Sequence, residues 1–222
     1  MKVRAFIIIV SLALVASLVQ AEDEEPVAVP KENAEGEEPV DVPKEKDPFE
    51  DLIAACITGR GIDIVEDVKN ALEKGADINE QHERSGQTPL MAATLRGKIN
   101  IVKYLLSEGA DLTIPERQGY TPAHGAAFQG RPDVMKVLID AGADVNVKHE
   151  DGFFPLHRTC WGKEERHAET LQILLDHGVP HDIKSDEGKV CREISTNKYT
   201  LKVLAKHTGV EDFPDFNVNA EL

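Results

Sequence analysis

The chain is poor in aromatic residues, in cysteine, in positive charge and in long apolar runs. Aromatics make up 5% of its 222 residues. Its apolar interior must therefore be built from Ala, Leu, Ile and Val. Three cysteines are too few, and odd in number, for a disulfide framework. Lys and Arg number 25 against 40 Asp and Glu, a formal net charge of −15. That balance argues against nucleic acid and anionic lipid as partners, since both demand cationic patches. No Asn-x-Ser/Thr occurs, so N-glycosylation is not expected. There is no phosphate-binding glycine loop, zinc-protease helix motif or nucleophile elbow. Apolar residues reach 41%, which suffices for a core and excludes a fully disordered chain.

The single long apolar run, residues 5–19, follows Lys2 and Arg4 and ends at Val19-Gln20-Ala21. It falls short of the ~20 residues that span a bilayer. Basic flank, length and small residues at the end predict a signal peptide over residues 1–21, cleaved after Ala21, with an uncleaved signal anchor as the alternative. Residues 22–50 carry twelve acids and three lysines, a net −9. Glu24-Glu25-Pro26-Val27-Ala28-Val29-Pro30-Lys31-Glu32 returns thirteen residues later as Glu37-Glu38-Pro39-Val40-Asp41-Val42-Pro43-Lys44-Glu45. Prolines and self-repulsion predict an extended, disordered segment over 22–47, either a spacer or a repeated binding motif.

Self-similarity governs the rest. Gly86-Gln87-Thr88-Pro89-Leu90-Met91-Ala92-Ala93 is matched by Gly119-Tyr120-Thr121-Pro122-Ala123-His124-Gly125-Ala126. It recurs as Gly152-Phe153-Phe154-Pro155-Leu156-His157-Arg158-Thr159, at an offset of 33 both times. Thr88 and Thr121 suit an N-cap, and the prolines suit a first helical position whose N–H is not needed. A second apolar stripe follows at helical spacing, as in Val134-Met135-x-Val137-Leu138-Ile139. It then meets a glycine (Gly109, Gly142 or Gly178) at the helix stop. Upstream, Lys74-Gly75-Ala76-Asp77-Ile78-Asn79 is a further copy of that glycine block.

The period of 33 with Thr-Pro-Leu-His and Gly-Ala-Asp-Val-Asn blocks resembles the ankyrin repeat. The resemblance covers residues 48–210. It implies an all-α repeat solenoid of about five units, each a helix-turn-helix with a β-hairpin finger, the first and last serving as degenerate caps. Residues 211–222 are read as an acidic tail. In that family the motif histidine is structural, which gives His124 and His157 their expected role. Binding uses a concave face lined by inner-helix ends and finger tips. Carried onto this chain, the face comprises Arg84, Gln87, Leu95, Arg96, Arg117, Tyr120, Phe128, Gln129, Phe153 and Trp161. Leu95, Phe128 and Trp161 form one column at the repeat offset. Gln87, Tyr120 and Phe153 form another. The alternative is that these side chains pack along the stack as ordinary core. Flanking charges run from Arg84, Arg96 and Arg117 to Glu150, Asp151, Asp186 and Glu187, so the face is expected to be basic at one end and acidic at the other.

Cys56 and Cys160 align three repeats apart, too far to bridge. Cys191 stands where a first-turn proline is expected. Three free thiols are therefore predicted, at least two of them buried. His177, His181 and Asp182 would suit a metal on a helix, but Gly178 and Pro180 break that helix. No catalytic, cofactor or metal site is expected. The predicted function is a monomeric, non-enzymatic module that binds a protein or peptide in the secretory pathway or outside the cell, without nucleic acid and without membrane once the signal is removed. The ending Asn219-Ala220-Glu221-Leu222 matches the last two of four positions of an ER-retention signal. The rival readings are an enzyme or metal-binding protein centred on His177, His181 and Asp182, and a structural spacer with no specific partner.

Overall fold

A computed structural model of the chain describes residues 47–58 and 64–210, with two short strands at 212–213 and 216–217. The predicted signal peptide at 1–21 lies outside the described residues, as does the predicted disordered segment at 22–47 except for Asp47.

Ten helices pair into five units among the described residues. The first helices of each pair are α1 (Pro48–Thr58), α3 (Pro89–Arg96), α5 (Pro122–Gln129), α7 (Pro155–Cys160) and α9 (Cys191–Ile194). Their partners are α2 (Ile64–Glu73), α4 (Ile99–Ser107), α6 (Pro132–Asp140), α8 (Glu165–Asp176) and α10 (Lys198–Thr208). In the first four units each inner helix packs on its own partner; inner helices pack on the inner helices of neighbouring units throughout, and the outer helices stack likewise. This is the all-α repeat solenoid that the period predicted. No unit could bury its apolar stripe alone. The continuous interior runs through Leu52, Leu90, Leu105, Leu138, Leu156, Leu171 and Leu174, all fully buried.

The repeat motif starts the inner helices as expected. Thr88 Oγ1 accepts from Met91 N–H at 3.2 Å. Asp47 Oδ1 caps α1 by accepting from Phe49 N–H at 3.0 Å. In the next repeats the motif histidine reaches back, so that Thr121 N–H and Phe154 N–H donate to the Nδ1 atoms of His124 and His157 at 3.4 and 3.3 Å. Such bonds satisfy helix-start donors that have no intrahelical partner.

The fingers are hairpin turns without β-ladders. Cross-bonds close each one: His82 N–H to Gln87 O, Glu116 N–H to Tyr120 O, His149 N–H to Phe153 O, and Ser185 N–H to Lys189 O, all at 2.9 Å. The predicted β-hairpins thus persist only as turns, because one ladder bond per finger leaves no strand to propagate. Gly86, at φ +68°, cannot be replaced there: a Cβ would stand 2.5 Å from the backbone nitrogen of Arg117 in the next finger. The two strands described are β1 (Asp212–Phe213) and β2 (Phe216–Asn217), paired antiparallel within the segment expected to be a plain tail.

The cysteine expectation fails in part. Cys160 and Cys191 form a disulfide with Cα atoms 5.6 Å apart, and only Cys56 is free. The helices that carry the bridge, α7 and α9, have six and four residues, against eight in α3 and α5. Cys191 does open α9, the first-turn position expected of it, but Cys160 closes the short α7 and the two meet there. Burial pushes the Cys56 thiol up to about 12, so it is an inert packing group.

Candidate functional site: the inner-helix ends and fingers

The predicted surface residues divide by burial. Arg84, Arg96 and Arg117 are exposed, and the Arg117 guanidinium donates to Glu83 O. Leu95, Tyr120 and Gln129 are half-buried. Gln87 and Phe153 are buried. Phe128 and Trp161 are 40% and 37% exposed, and Val210 is the only other exposed large apolar residue among those described.

Tyr120, Phe153 and Trp161 are drawn together by a residue that the sequence reading passed over. Arg158 is 4% exposed. Its guanidinium carbon sits 4.7 Å from the ring centres of both Tyr120 and Trp161 and 5.7 Å from that of Phe153. Its Nη2 donates to Asp151 Oδ2 at 2.5 Å. Asp151 Oδ1 lies 2.8 Å from His149 Nδ1, and His149 Nε2 lies 2.6 Å from Gln118 O. The His149 ring stacks on Tyr120 at 3.8 Å between centroids. Phe153 meets Trp161 edge-on at 4.9 Å. One buried cation thereby ties the inner helix α7 to two consecutive fingers. The signal for it was present: Arg158 occupies the column of Ala92 and Gly125, where a long charged side chain is out of place.

The electrostatics follow from this burial. Desolvation alone would raise the Asp151 carboxyl, but the bonds from Arg158 and His149 overturn it and hold the group below its ordinary value. Burial, then the charges of Arg158 and His149, bring His124 down to about 4. Burial also lowers His157 and His167, against the opposing pull of the carbonyls facing their rings. Burial pushes Glu116 and Tyr120 up. His124 and His157 are thus neutral structural groups, as the motif implied. His157 Nε2 lies 3.1 and 3.2 Å from Ile183 O and Lys189 O of the next unit.

A second ladder joins the repeats at the far end of the inner helices. Arg131 donates through Nε and Nη2 to Leu95 O at 3.2 and 3.0 Å. His167 Nε2 lies 3.3 Å from Phe128 O, and Asn197 Nδ2 donates to Gly162 O at 2.9 Å. Each side chain serves a carbonyl at an inner-helix end in the preceding repeat, where intrahelical partners run out. No spacing rule marked it, because the offsets are 36, 39 and 35.

The residues of the rival reading do not converge. His177 is exposed at the end of α8, Asp182 is exposed, and the His181 ring lies 5.7 Å from that of His207. Among the described residues no three His, Cys, Asp or Glu side chains are grouped to hold a metal ion.

Helix pairs closed by glycine and stacked through fingers agree with the family whose model the sequence matches. The family model for ankyrin repeats, in three copies, matches residues 52–149. This stretch is built of ankyrin repeats. The chain is 44% identical over 63 residues to an ankyrin repeat and SAM domain-containing protein of Rattus norvegicus, covering 28% of this chain and 7% of that one. It is 44% identical over 62 residues to an ankyrin repeat and KH domain-containing protein of Caenorhabditis briggsae, covering 28% and 2%. The chain thus spans under a tenth of the length of these relatives. The likeness lies in the ankyrin repeats and does not extend to the whole proteins.

Proposed function

We propose that the ankyrin repeats form a non-enzymatic protein-binding module, an adaptor or regulator, that holds a protein or peptide on the face made by inner-helix ends and fingers. The observation that carries this reading is the exposure of Phe128 and Trp161 in one repeat-aligned column, on a chain with few aromatics to spare. Exposed aromatic side chains grouped on one face mark interaction sites. The working place is the secretory pathway, secreted or in the ER lumen. The Cys160–Cys191 disulfide supports an oxidising compartment, and the residues at 1–21 read as a signal peptide. Among the described residues, no helix is long and apolar enough to cross a membrane.

The test is affinity capture from the source cell with the parent protein, Phe128→Ala and Trp161→Ala, each first shown to fold by helical circular dichroism. Trp161 also lies against Arg158, so its variant is read beside that of Phe128, which does not touch that cation; the less exposed Tyr120 and Phe153 are left intact. Partners lost from both folded variants support the reading. Partners retained by both would overturn it.

A further inference from the structure

Taken together, the junctions between the two helices of the last four repeats carry charge of the opposite sign to the rest of the chain. On a protein of net −15, residues 96–98, 129–133, 161–166 and 195–198 hold six Lys and Arg against three Asp and Glu. Three of the arginines stand in a row along the stack. The side chain of Arg131 lies over Gly97 of the preceding repeat, where a Cβ would stand 3.0 Å from its Cδ. Over Gly130 a Cβ would stand 2.9 Å from the His167 ring and 3.0 Å from the Cγ of Arg166, whose guanidinium is paired with Glu164 at 2.8 Å. Burial, then the neighbouring charges of Arg166 and Arg96, lower the affinity of Arg131 for its proton. The row passes the exposed aromatics: the carbonyl of Phe128 faces His167, next to Arg166, and Trp161 opens the junction that contains Lys163.

Elsewhere, among the described residues, three of the four acids expected at the acidic end already have partners, Glu150 being the exception. Asp151 is held by Arg158, Asp186 by Lys148 at 2.6 Å and Glu187 by Lys189 at 2.5 Å. The acidic end expected from the sequence is therefore largely neutralised within the chain. Arg96 and Lys163 form no ion pair among the described residues. What this face has to offer a partner is a short cationic row beside two apolar rings.

We propose that this row seats an acidic segment of a partner protein, its carboxylates along Arg96, Arg131 and Lys163 and an apolar side chain on Phe128 and Trp161. The proposal rests on the protein-binding reading above and names the chemistry of the segment bound. A long polyanion is disfavoured, because the net negative charge repels it over the rest of the surface. A short segment feels mainly the charges within a Debye length, ~10 Å at 0.1 M salt.

Trp161 is the chain's single tryptophan and reports occupancy by its own fluorescence. The probes are two pools of short synthetic peptides without tryptophan, one combining glutamate with leucine and the other lysine with leucine, and dextran sulfate. The glutamate pool should shift the emission of the parent protein. Binding should weaken roughly tenfold or more in Arg96→Glu/Lys163→Glu and in Phe128→Ala, and stay unchanged in the exposed control Lys202→Glu. An equal response to the lysine pool, no response to the glutamate pool, or dextran sulfate binding undiminished in Phe128→Ala would each overturn the proposal. If captured partners are lost from Phe128→Ala but retained by Arg96→Glu/Lys163→Glu, the protein-binding reading stands and the acidic segment falls. If Phe128→Ala and Trp161→Ala lose nothing, both fall.

Discussion

Arg158 shows how one side chain decides the standing of its neighbours. A guanidinium buried to this depth is tolerable only because Asp151 accepts from it at 2.5 Å and its carbon lies 4.7 Å from the centres of two aromatic rings. Arg158→Ala leaves the carboxylate without its cation and the rings of Tyr120, Trp161 and Phe153 without their brace. Breaking a fully buried pair costs about 3–5 kcal/mol. Asp151 keeps a quarter of its side-chain exposure, so a loss of roughly 2–3 kcal/mol is expected in urea unfolding. Arg158→Lys returns the charge without the flat stacking surface and should recover less than half of it. Full recovery by lysine would show that charge alone matters. The residue-by-residue reading of the binding face was legible only as columns. Repeat alignment placed Tyr120, Phe153 and Trp161 on one side of the stack and shows Arg158 breaking the column of Ala92 and Gly125, but it does not show that this side chain gathers the others inward.

The helices themselves were legible because their signals are local. A cap threonine, a first-turn proline and a stop glycine each act within one turn, so their spacing carries the geometry directly. The bonds that join repeats were not legible, since Arg131, His167 and Asn197 reach carbonyls in another unit. The fifth unit shows both cases. Its inner helix has four residues and lacks threonine and proline at its start, which marked it as a degenerate cap. The disulfide that pins it to α7 was not foreseen, because it joins the last residue of one short inner helix to the first residue of the next, a contact that no repeat spacing marks. A solenoid transmits stability only between neighbours, so this bridge should matter locally. Removing it with Cys160→Ala/Cys191→Ala is expected to cost about 2–4 kcal/mol. Hydrogen exchange should rise over residues 188–208 and stay unchanged over 89–140. An equal rise across both segments would show that the units unfold as one, and no rise at 188–208 would show that packing alone holds the cap.

At the scale of the whole molecule two electrostatic effects oppose each other as the pH falls. Acidification reduces the net charge of −15 and with it the self-repulsion, which favours the folded chain. Buried histidines act the other way. His124 is held down to about 4, and His157 and His167 are also lowered, while an unfolded histidine titrates near 6.5. Between these values the unfolded chain binds protons that the folded chain refuses. The stabilisation is complete above the unfolded value and is lost as the pH falls below it. From pH 7 to pH 5, His124 alone removes roughly 2 kcal/mol, and His157 and His167 add to the loss. Asp151, held low, contributes only at more acid pH, and Glu116, held high, works against the loss near the lower end of the interval. Surface repulsion is spread over exposed side chains and screened by salt, so the histidines should win. The midpoint of thermal unfolding should drop between pH 7 and pH 5 at 0.15 M salt, and His124→Gln, less stable at pH 7, should flatten that drop by the share of His124. A midpoint that holds or rises at pH 5 would mean that relief of charge repulsion outweighs the buried imidazoles.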